Sequence, residues 1–368
     1  MPNRTNKKIL EQKLAEMHGR RHCLFVSRAT VAIYLALKSL GHKNGKVVIP
    51  SLVCLSVPNA VIYSGLKPIY CDVSLKDFNI DLNKLEKILS EEKNIRVVIV
   101  PHMYGHPTNM NRLMSLANKF KVAVIEDVAQ AMGGDFRGKI LGSFGDFSVL
   151  SFGHTKIIET SGGGALLFDK DEYKEKIIET EKELALLKQN KKLAEIYSET
   201  YYALMPLARK QKSLAALFSS FPYIFKDLYL FGSFDNNVIP GIYKKLSEIK
   251  DAVSKRNKNA RYYKEHLIHP AIVHPDYKGN GVSWRYSFLI KGDKQQEIAN
   301  AIRKKGIDIS NWYHPVHLMY EFNHPKLKNA EYIGDHIFNL WVLPTLTKKE
   351  LKKNSDAVLK VLNSQHFK

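Results

Sequence analysis

The sequence predicts an α/β fold: a large domain built on a mostly parallel sheet with helices on both faces, then a smaller C-terminal α+β domain. Three observations carry this. Short, continuously apolar strands such as Val97-Val98-Ile99-Val100 lack the alternation of a half-exposed strand, so they read as buried on both faces. Stretches with helical spacing separate them, which is the rhythm of parallel strands joined by crossover helices. At 368 residues and 45% apolar side chains, the chain exceeds one common domain and can bury a sizeable core.

The elements follow in order. Residues 7–18 read as a helix with Ile9, Leu10, Leu14 and Met17 on one side. Leu24-Phe25-Val26 is a strand, leading through the turn Ser27-Arg28-Ala29-Thr30 into an apolar helix that ends near Leu40. Val47-Val48-Ile49 is a short strand closed by Pro50, whose nitrogen cannot donate to a ladder. The next helix reaches about Tyr63 and stops at Gly65, and a strand follows over 68–73. Helices over 81–89 and 109–120 alternate with strands over 96–100 and 122–126. Ligands of such sheets bind beyond the carboxyl ends of the strands, where Asp127, His102 and the Ser27–Thr30 turn all fall.

Residues 170–235 differ. A charged helix over 170–192 gives way to the uncharged run 214–225, which holds Phe218, Phe221, Tyr223 and Phe225. The run is too short to span a bilayer, and Pro222 interrupts it. A buried helical hairpin, a subunit interface and an interfacial lipid contact are the readings it leaves open. From Ile242 a helix over 243–267 leads to strands over 282–290 and 307–312, so domains are expected at 1–241 and 242–368.

The net charge of +20 attracts nucleic acid, anionic membranes and phosphorylated ligands alike. The lysines are dispersed over helix faces, however, and no nucleic-acid-binding motif accompanies them, so a nucleic-acid partner is not expected. Cys23, Cys54 and Cys71 have neither paired nor metal-site spacing, which suits a reducing cytosol. His102, His106, His154, His314 and His317 fall in separate segments without matching carboxylates, so no metal is expected. The polar, basic residues 1–8 precede no apolar run, so no secretory signal is expected and the location is read as cytoplasmic.

The chemistry centres on Lys156, in Ser151-Phe152-Gly153-His154-Thr155-Lys156. A lysine forms an imine with an aldehyde cofactor, a strand-end aspartate such as Asp127 keeps a pyridine nitrogen protonated, and a nearby serine binds a phosphate. Those are the needs of pyridoxal 5'-phosphate (PLP). The turn Arg28-Ala29-Thr30 opens a helix, whose first N–H groups and dipole favour a bound phosphate. An ordinary strand-to-helix turn capped by Thr30 is the alternative.

Arg28-Ala29-Thr30, Pro50-Ser51, Ile125-Glu126-Asp127-x-Ala129-Gln130, Gly142-Ser143-x-Gly145-Asp146 and Ser151-Phe152-x-x-Thr155-Lys156 occur in that order, followed by Gly163-Gly164 and Arg256-x-x-Asn259-Ala260. Their spacing resembles the DegT/StrS-type family of PLP-dependent sugar aminotransferases. The resemblance implies the PLP-dependent transferase type I fold and a homodimer with sites at the subunit interface. It also implies a keto-sugar substrate, typically nucleotide-linked, and glutamate as donor. Lys156 would hold PLP covalently and then move the proton. Asp127 would pair with the ring nitrogen, Gln130 would bond the ring's phenolic oxygen, and Ala29, Thr30 and Ser151 would bind the phosphate. Tyr104, in a turn after a strand, and Tyr313 and His314, from the second domain, are expected at the substrate site, with plain turn packing as the alternative.

Four departures stand against the family pattern. Cys54 occupies the place of an aromatic that stacks on the ring, which makes His102 a substitute cover. Ser161 and Gly162 replace a glycine and a glutamate. No Asn-x-Arg segment precedes Leu246 at the usual offset, although Asn236 or Asn237 could serve, and residues 170–235 lack the usual basic-glycine pattern. The expected function is amination of a keto sugar. Sugar dehydration or deoxygenation is disfavoured, because that branch of the family carries histidine in place of the lysine. A membrane-associated scaffold without activity is the remaining alternative.

Overall fold

The computed structural model describes residues 2–185, 192–193, 195–197, 200, 212–232, 234–277, 279–320 and 325–364. A first helix, α1 (Pro2–His18), leads to β1 (His22–Val26), α2 (Ala29–Ser39), β2 (Lys46–Pro50), α3 (Ser56–Tyr63), β3 (Lys67–Cys71) and α4 (Leu82–Glu91). Then come β4 (Ile95–Pro101), α5 (Met110–Phe120), β5 (Ala123–Asp127) and a small hairpin of β6 (Asp135–Phe136) with β7 (Lys139–Ile140). β8 (Phe147–Ser151), β9 (Gly164–Phe168) and α6 (Asp171–Ala185) follow. Local chemistry sets the boundaries. The Asp81 carboxylate accepts the Asn83 and Lys84 N–H groups to start α4, and Asn109 accepts the Arg112 N–H to start α5. Gly65, at φ +85°, turns the chain away after α3.

Seven strands form one sheet in the order β1-β9-β8-β5-β4-β2-β3. Neighbours from β8 through β5, β4 and β2 to β3 are parallel, while β9 runs antiparallel to both β8 and β1. The expected strands over 47–49, 68–73, 96–100 and 122–126 are β2 to β5, and the apolar run Val97–Val100 is buried throughout. α2 is apolar on nearly every side because it lies between β9 and the helices α3 and α6.

The C-terminal part starts with two helices, Val238–Ser247 and Ile249–His266, where one was expected over 243–267; the axis breaks at Glu248 (φ −98°, ψ 0°). Four antiparallel strands follow in the order β10 (Ile272–Val273), β11 (Tyr286–Ile290), β13 (Ile337–Leu340) and β12 (Ile309–Ser310). A second core forms on this sheet around Tyr263, Phe288, Ile302, Phe338 and Val358.

The charged helix expected over 170–192 is described as far as Ala185, and residues 186–191 lie outside the described residues. The aromatic segment forms helices at Lys212–Ile224 and Lys226–Tyr229, with the side chains of 212–217 outside the described residues. Phe218, Phe221, Phe225 and Tyr229 are buried in this chain's own main core, whereas Tyr223 and Ile224 are exposed. Among the described side chains of the segment, most of the apolar surface is thus covered without a second chain or a lipid surface. Among the described residues, no helix is long and apolar enough to cross a membrane.

Candidate active site

The carboxyl ends of β1, β4, β5 and β8 open on one cavity of about 1200 Å³. Ala29, Thr30, Asp127, Gln130, Ser151 and Lys156 all line it, although 127 positions separate the first from the last. Six residues singled out in the sequence therefore meet in one place.

The end of α2 borders this cavity. Arg28 is extended (φ −168°, ψ 163°) and supplies no side-chain cap, so the helix begins at Ala29 and Thr30 lies inside it rather than capping it. The first N–H groups of a helix have no partner within it, and with the dipole they form an anion site. The neighbouring strand is pressed close. The Gly163 N–H donates to the Ser27 carbonyl at 2.9 Å. A Cβ on Gly164 would lie 2.5 Å from the Ala29 nitrogen, so only glycine fits there. Gly164 pairs across the ladder with Ser151, which brings the Ser151 hydroxyl to the same end.

Asp127 ends β5, and its Oδ1 accepts the Ala129 N–H at 3.0 Å. Burial pushes its carboxyl above the ordinary range, against the pull of that N–H, Lys156 and His102. A cation placed opposite would favour the ionised form. Beside it, Glu126 points the other way, into the core. Burial acts to raise its pKa, but the His102 bond and the N–H groups of Gly142 and Phe144 hold it below the usual carboxylate range. His102 Nε2 lies 3.0 Å from Glu126 Oε1 and its Nδ1 accepts the Thr108 N–H at 3.3 Å, so the His102 ring is fixed in the wall.

Lys156 rides on a constrained loop. Thr155 sits at φ +68°, a region costly for a β-branched residue, and the Trp284 indole N–H donates to its carbonyl at 2.6 Å. The Thr160 N–H and hydroxyl both reach the Phe152 carbonyl, at 2.7 and 2.9 Å, and close the loop on itself. Among the described residues the Lys156 amine has neither a hydrogen-bond nor an ion-pair partner, and it is half-buried. An accessible amine, a buried carboxylate and a helix-end anion site around one cavity fit PLP.

Gln130 is held at both ends: its Oε1 accepts the Tyr104 N–H at 2.8 Å, and its Nε2 donates to the Tyr313 hydroxyl at 3.0 Å. One Nε2 hydrogen remains for a ligand. Tyr313 lines the cavity. Tyr104 is fully buried and outside the lining; its hydroxyl donates to the Trp312 carbonyl at 2.9 Å and accepts the Tyr313 N–H, so it braces the wall from behind. His314 lines a neighbouring cavity of about 250 Å³ rather than the main one. Cys54 and Tyr313 border both. Asn236 and Asn237 are outside the lining, and their neighbours Asp235 and Val238 take those places.

Sequence reasoning missed several lining groups. Trp284, Arg285, Asp308 and Trp341 come from the C-terminal part, and Phe231 and Phe234 come from the stretch after the aromatic helices. That stretch is tied down by Ser27 Oγ donating to the Phe231 carbonyl at 2.5 Å and by Arg28 Nη1 donating to the Leu228 carbonyl. Arg28 also stacks on Tyr229, 5.0 Å from the ring centre. The one sequence signal was Arg285 itself, a charge inside the apolar run 282–290. Among the described residues no cluster of three or more metal-ligating side chains occurs.

Residues 3–199 and 242–359 match the model of the DegT/DnrJ/EryC1/StrS aminotransferase family. A GDP-perosamine synthase of Escherichia coli O157:H7 is 28% identical over 348 residues, which cover 93% of this chain and 86% of that one. A UDP-N-acetyl-3-dehydro-alpha-D-glucosamine 3-aminotransferase of Acidithiobacillus ferrooxidans is 24% identical over 361 residues, covering 97% and 88%. Among solved structures, Helicobacter pylori PseC, an aminotransferase involved in pseudoaminic acid biosynthesis, superposes with a TM-score of 0.78. It is 20% identical and covers 97% of this chain and 91% of its own. The family model leaves 200–241 unmatched, the region where the sequence already departs from the pattern.

Proposed function

The chain belongs to the DegT/DnrJ/EryC1/StrS aminotransferase family, and on that premise we propose that it converts the keto group of a nucleotide-linked sugar to an amine, with glutamate as donor. Two relatives, a GDP-perosamine synthase and a UDP-sugar 3-aminotransferase, support the substrate class by name. The observation that carries the reading is Lys156, Asp127 and the start of α2 around one cavity of about 1200 Å³. Small-molecule pockets run to roughly 300–1,000 Å³, so a large two-part ligand can follow the cofactor in.

The cofactor is PLP, as in the family. When bound, it supplies an electron sink for charge on the carbon that gains or loses the amine. The rest falls to this chain. The α2 N-terminus, with Thr30 and Ser151, would hold the phosphate. Asp127 would hold a proton on the ring nitrogen, and its own desolvated charge would be offset by that cation. Lys156 Nζ would anchor the cofactor, then take a proton from the reacting carbon and return it, as general base and acid. Gln130, fixed by Tyr104 and Tyr313, would orient the ring. A lysine at 156 also favours transfer of an amine over dehydration of the sugar. We read the enzyme as a cytosolic homodimer, on the family resemblance and the cysteine pattern. The test is incubation of the holoenzyme with glutamate and a panel of GDP- and UDP-linked keto sugars, following 2-oxoglutarate. Release with at least one of them supports the reading, and no release with any overturns it.

A further inference from the structure

One wall of the cavity carries positive charge that no described residue pairs. Arg285 is only 6% exposed and lines the cavity just before β11. Its guanidinium lies 3.8 Å from the ring centre of Trp341 and 4.7 Å from that of Trp284. Nη1 donates to the Ser310 hydroxyl, while Nε is buried with no hydrogen-bond partner. Among the described residues no carboxylate stands within ion-pair distance. Asp308 acts on it from farther off, with its Oδ2 occupied by the Trp341 indole N–H at 2.5 Å, and the other group acting on it is the Tyr313 hydroxyl.

Arg256 adds to the imbalance. It too is buried, its Nη1 donates to the Trp284 carbonyl at 3.0 Å, and its Nε has no partner. Glu159 and Arg285 are the charges that act on it, the first attracting and the second repelling. Two buried guanidiniums thus flank Trp284 without a paired anion among the described residues. Buried charges are ordinarily paired, because desolvation without a partner is costly. Contact with two indole rings and the Ser310 hydroxyl restricts the guanidinium, which favours its fork for a two-point oxyanion.

We propose that Arg285, set between Trp284 and Trp341, is an oxyanion-recognition site of the cavity and takes an oxygen pair of a substrate anion. The inference rests on the substrate reading above. Both substrates of that reading carry the chemistry: the diphosphate of the sugar nucleotide and the carboxylates of the donor.

Calorimetric titration of the holoenzyme with GDP, UDP and glutarate tests it, comparing wild type with Arg285→Gln and Arg285→Lys. Tryptophan emission locates the event, because all three tryptophans of the chain line this cavity. At least one probe should bind wild type and lose about tenfold to a hundredfold in affinity in Arg285→Gln, the scale of a charge-assisted hydrogen bond. Arg285→Lys should recover part of the loss. Loss confined to GDP or UDP assigns the diphosphate, and loss confined to glutarate assigns the donor carboxylate. Unchanged binding in both variants would overturn the inference while leaving the proposed function intact. Should no probe bind wild type, the substrate reading fails and this inference fails with it. Melting curves identify a misfolded Arg285→Gln, in which case Arg285→Lys, which keeps charge and bulk, is the variant read.

Discussion

Replacing Glu126 by glutamine keeps the shape of the side chain and removes only its charge. In the wild type, Oε1 accepts from His102 Nε2 at 3.0 Å and from the Gly142 N–H at 2.6 Å, while Oε2 accepts from the Phe144 and Gly145 N–H groups at 2.9 and 3.4 Å. A glutamine amide has one acceptor end. With its NH₂ toward Phe144 and Gly145, two backbone donors face a donor. With the amide reversed, the Gly142 N–H does, and His102 must shift its proton to Nδ1, where it meets the Thr108 N–H. Either way one or two buried donors lose their partner, at about 1–3 kcal/mol each. The expected loss is about 2–4 kcal/mol, or about 3–5 °C in melting temperature for a chain of 368 residues. The folded-state pKa of Glu126 is depressed, so its stabilisation is present above the unfolded-state value, about 4.3, and is lost as pH falls through the lower folded value. The gap between wild type and variant should therefore narrow on acidification. Equal melting temperatures at neutral pH, or a gap that widens toward acid, would refute the role given to this carboxylate.

Borohydride reduction of the PLP-loaded protein followed by peptide mapping should place the pyridoxyl label on Lys156, and a label on another lysine would sink that assignment. Asp127→Asn should retain bound PLP yet lose about a hundredfold or more in turnover, the scale of a removed preorganised electrostatic partner; near-normal turnover contradicts the pairing. Phe221→Asp puts a carboxylate at a 6% exposed position in the main core and should destabilise the chain by about 3–5 kcal/mol. An unchanged denaturation midpoint in that variant would mean the aromatic helices are not packed as described.

The strands β2 to β5 were legible because strands buried on both faces must be apolar at every position, as Val97–Val100 are. β8 and β9 were not read. Phe147-Ser148-Val149-Leu150-Ser151 buries two serines, and Ser148 is tolerated because its hydroxyl donates to the Gly142 carbonyl at 2.6 Å and accepts from Arg20 at 2.9 Å. That long-range pairing is invisible in composition. Residues 282–285, expected to be strand, instead reach the turn after β4: the Val282 and Trp284 N–H groups donate to the Gly105 and Tyr104 carbonyls at 2.8 and 3.1 Å. The wall formed by Ala29, Thr30, Asp127 and Ser151 could be read because strand ends and a helix start announce it locally. The wall contributed by the C-terminal part could not, because Arg285, Asp308 and Trp341 converge only through the second sheet, and because 200–241 follows no family pattern.

The antiparallel β9 also bears on how this chain is made. Among the described residues, β1 (residues 22–26) finds its only sheet partner at 164–168, and nothing emerging between them pairs with it. α1 can pack on β1 early, but the β1 ladder must wait until the chain has passed residue 168. Closing so long a loop costs entropy before any ladder bond forms in return, and slows the step that closes it. The same step seats Gly163 and Gly164 against Ser27 and Ala29. The helix-end site proposed for the cofactor phosphate is therefore completed by the last strand of the large sheet, and a stalled chain that ends short of Phe168 leaves the edge of β8 unpaired beside it.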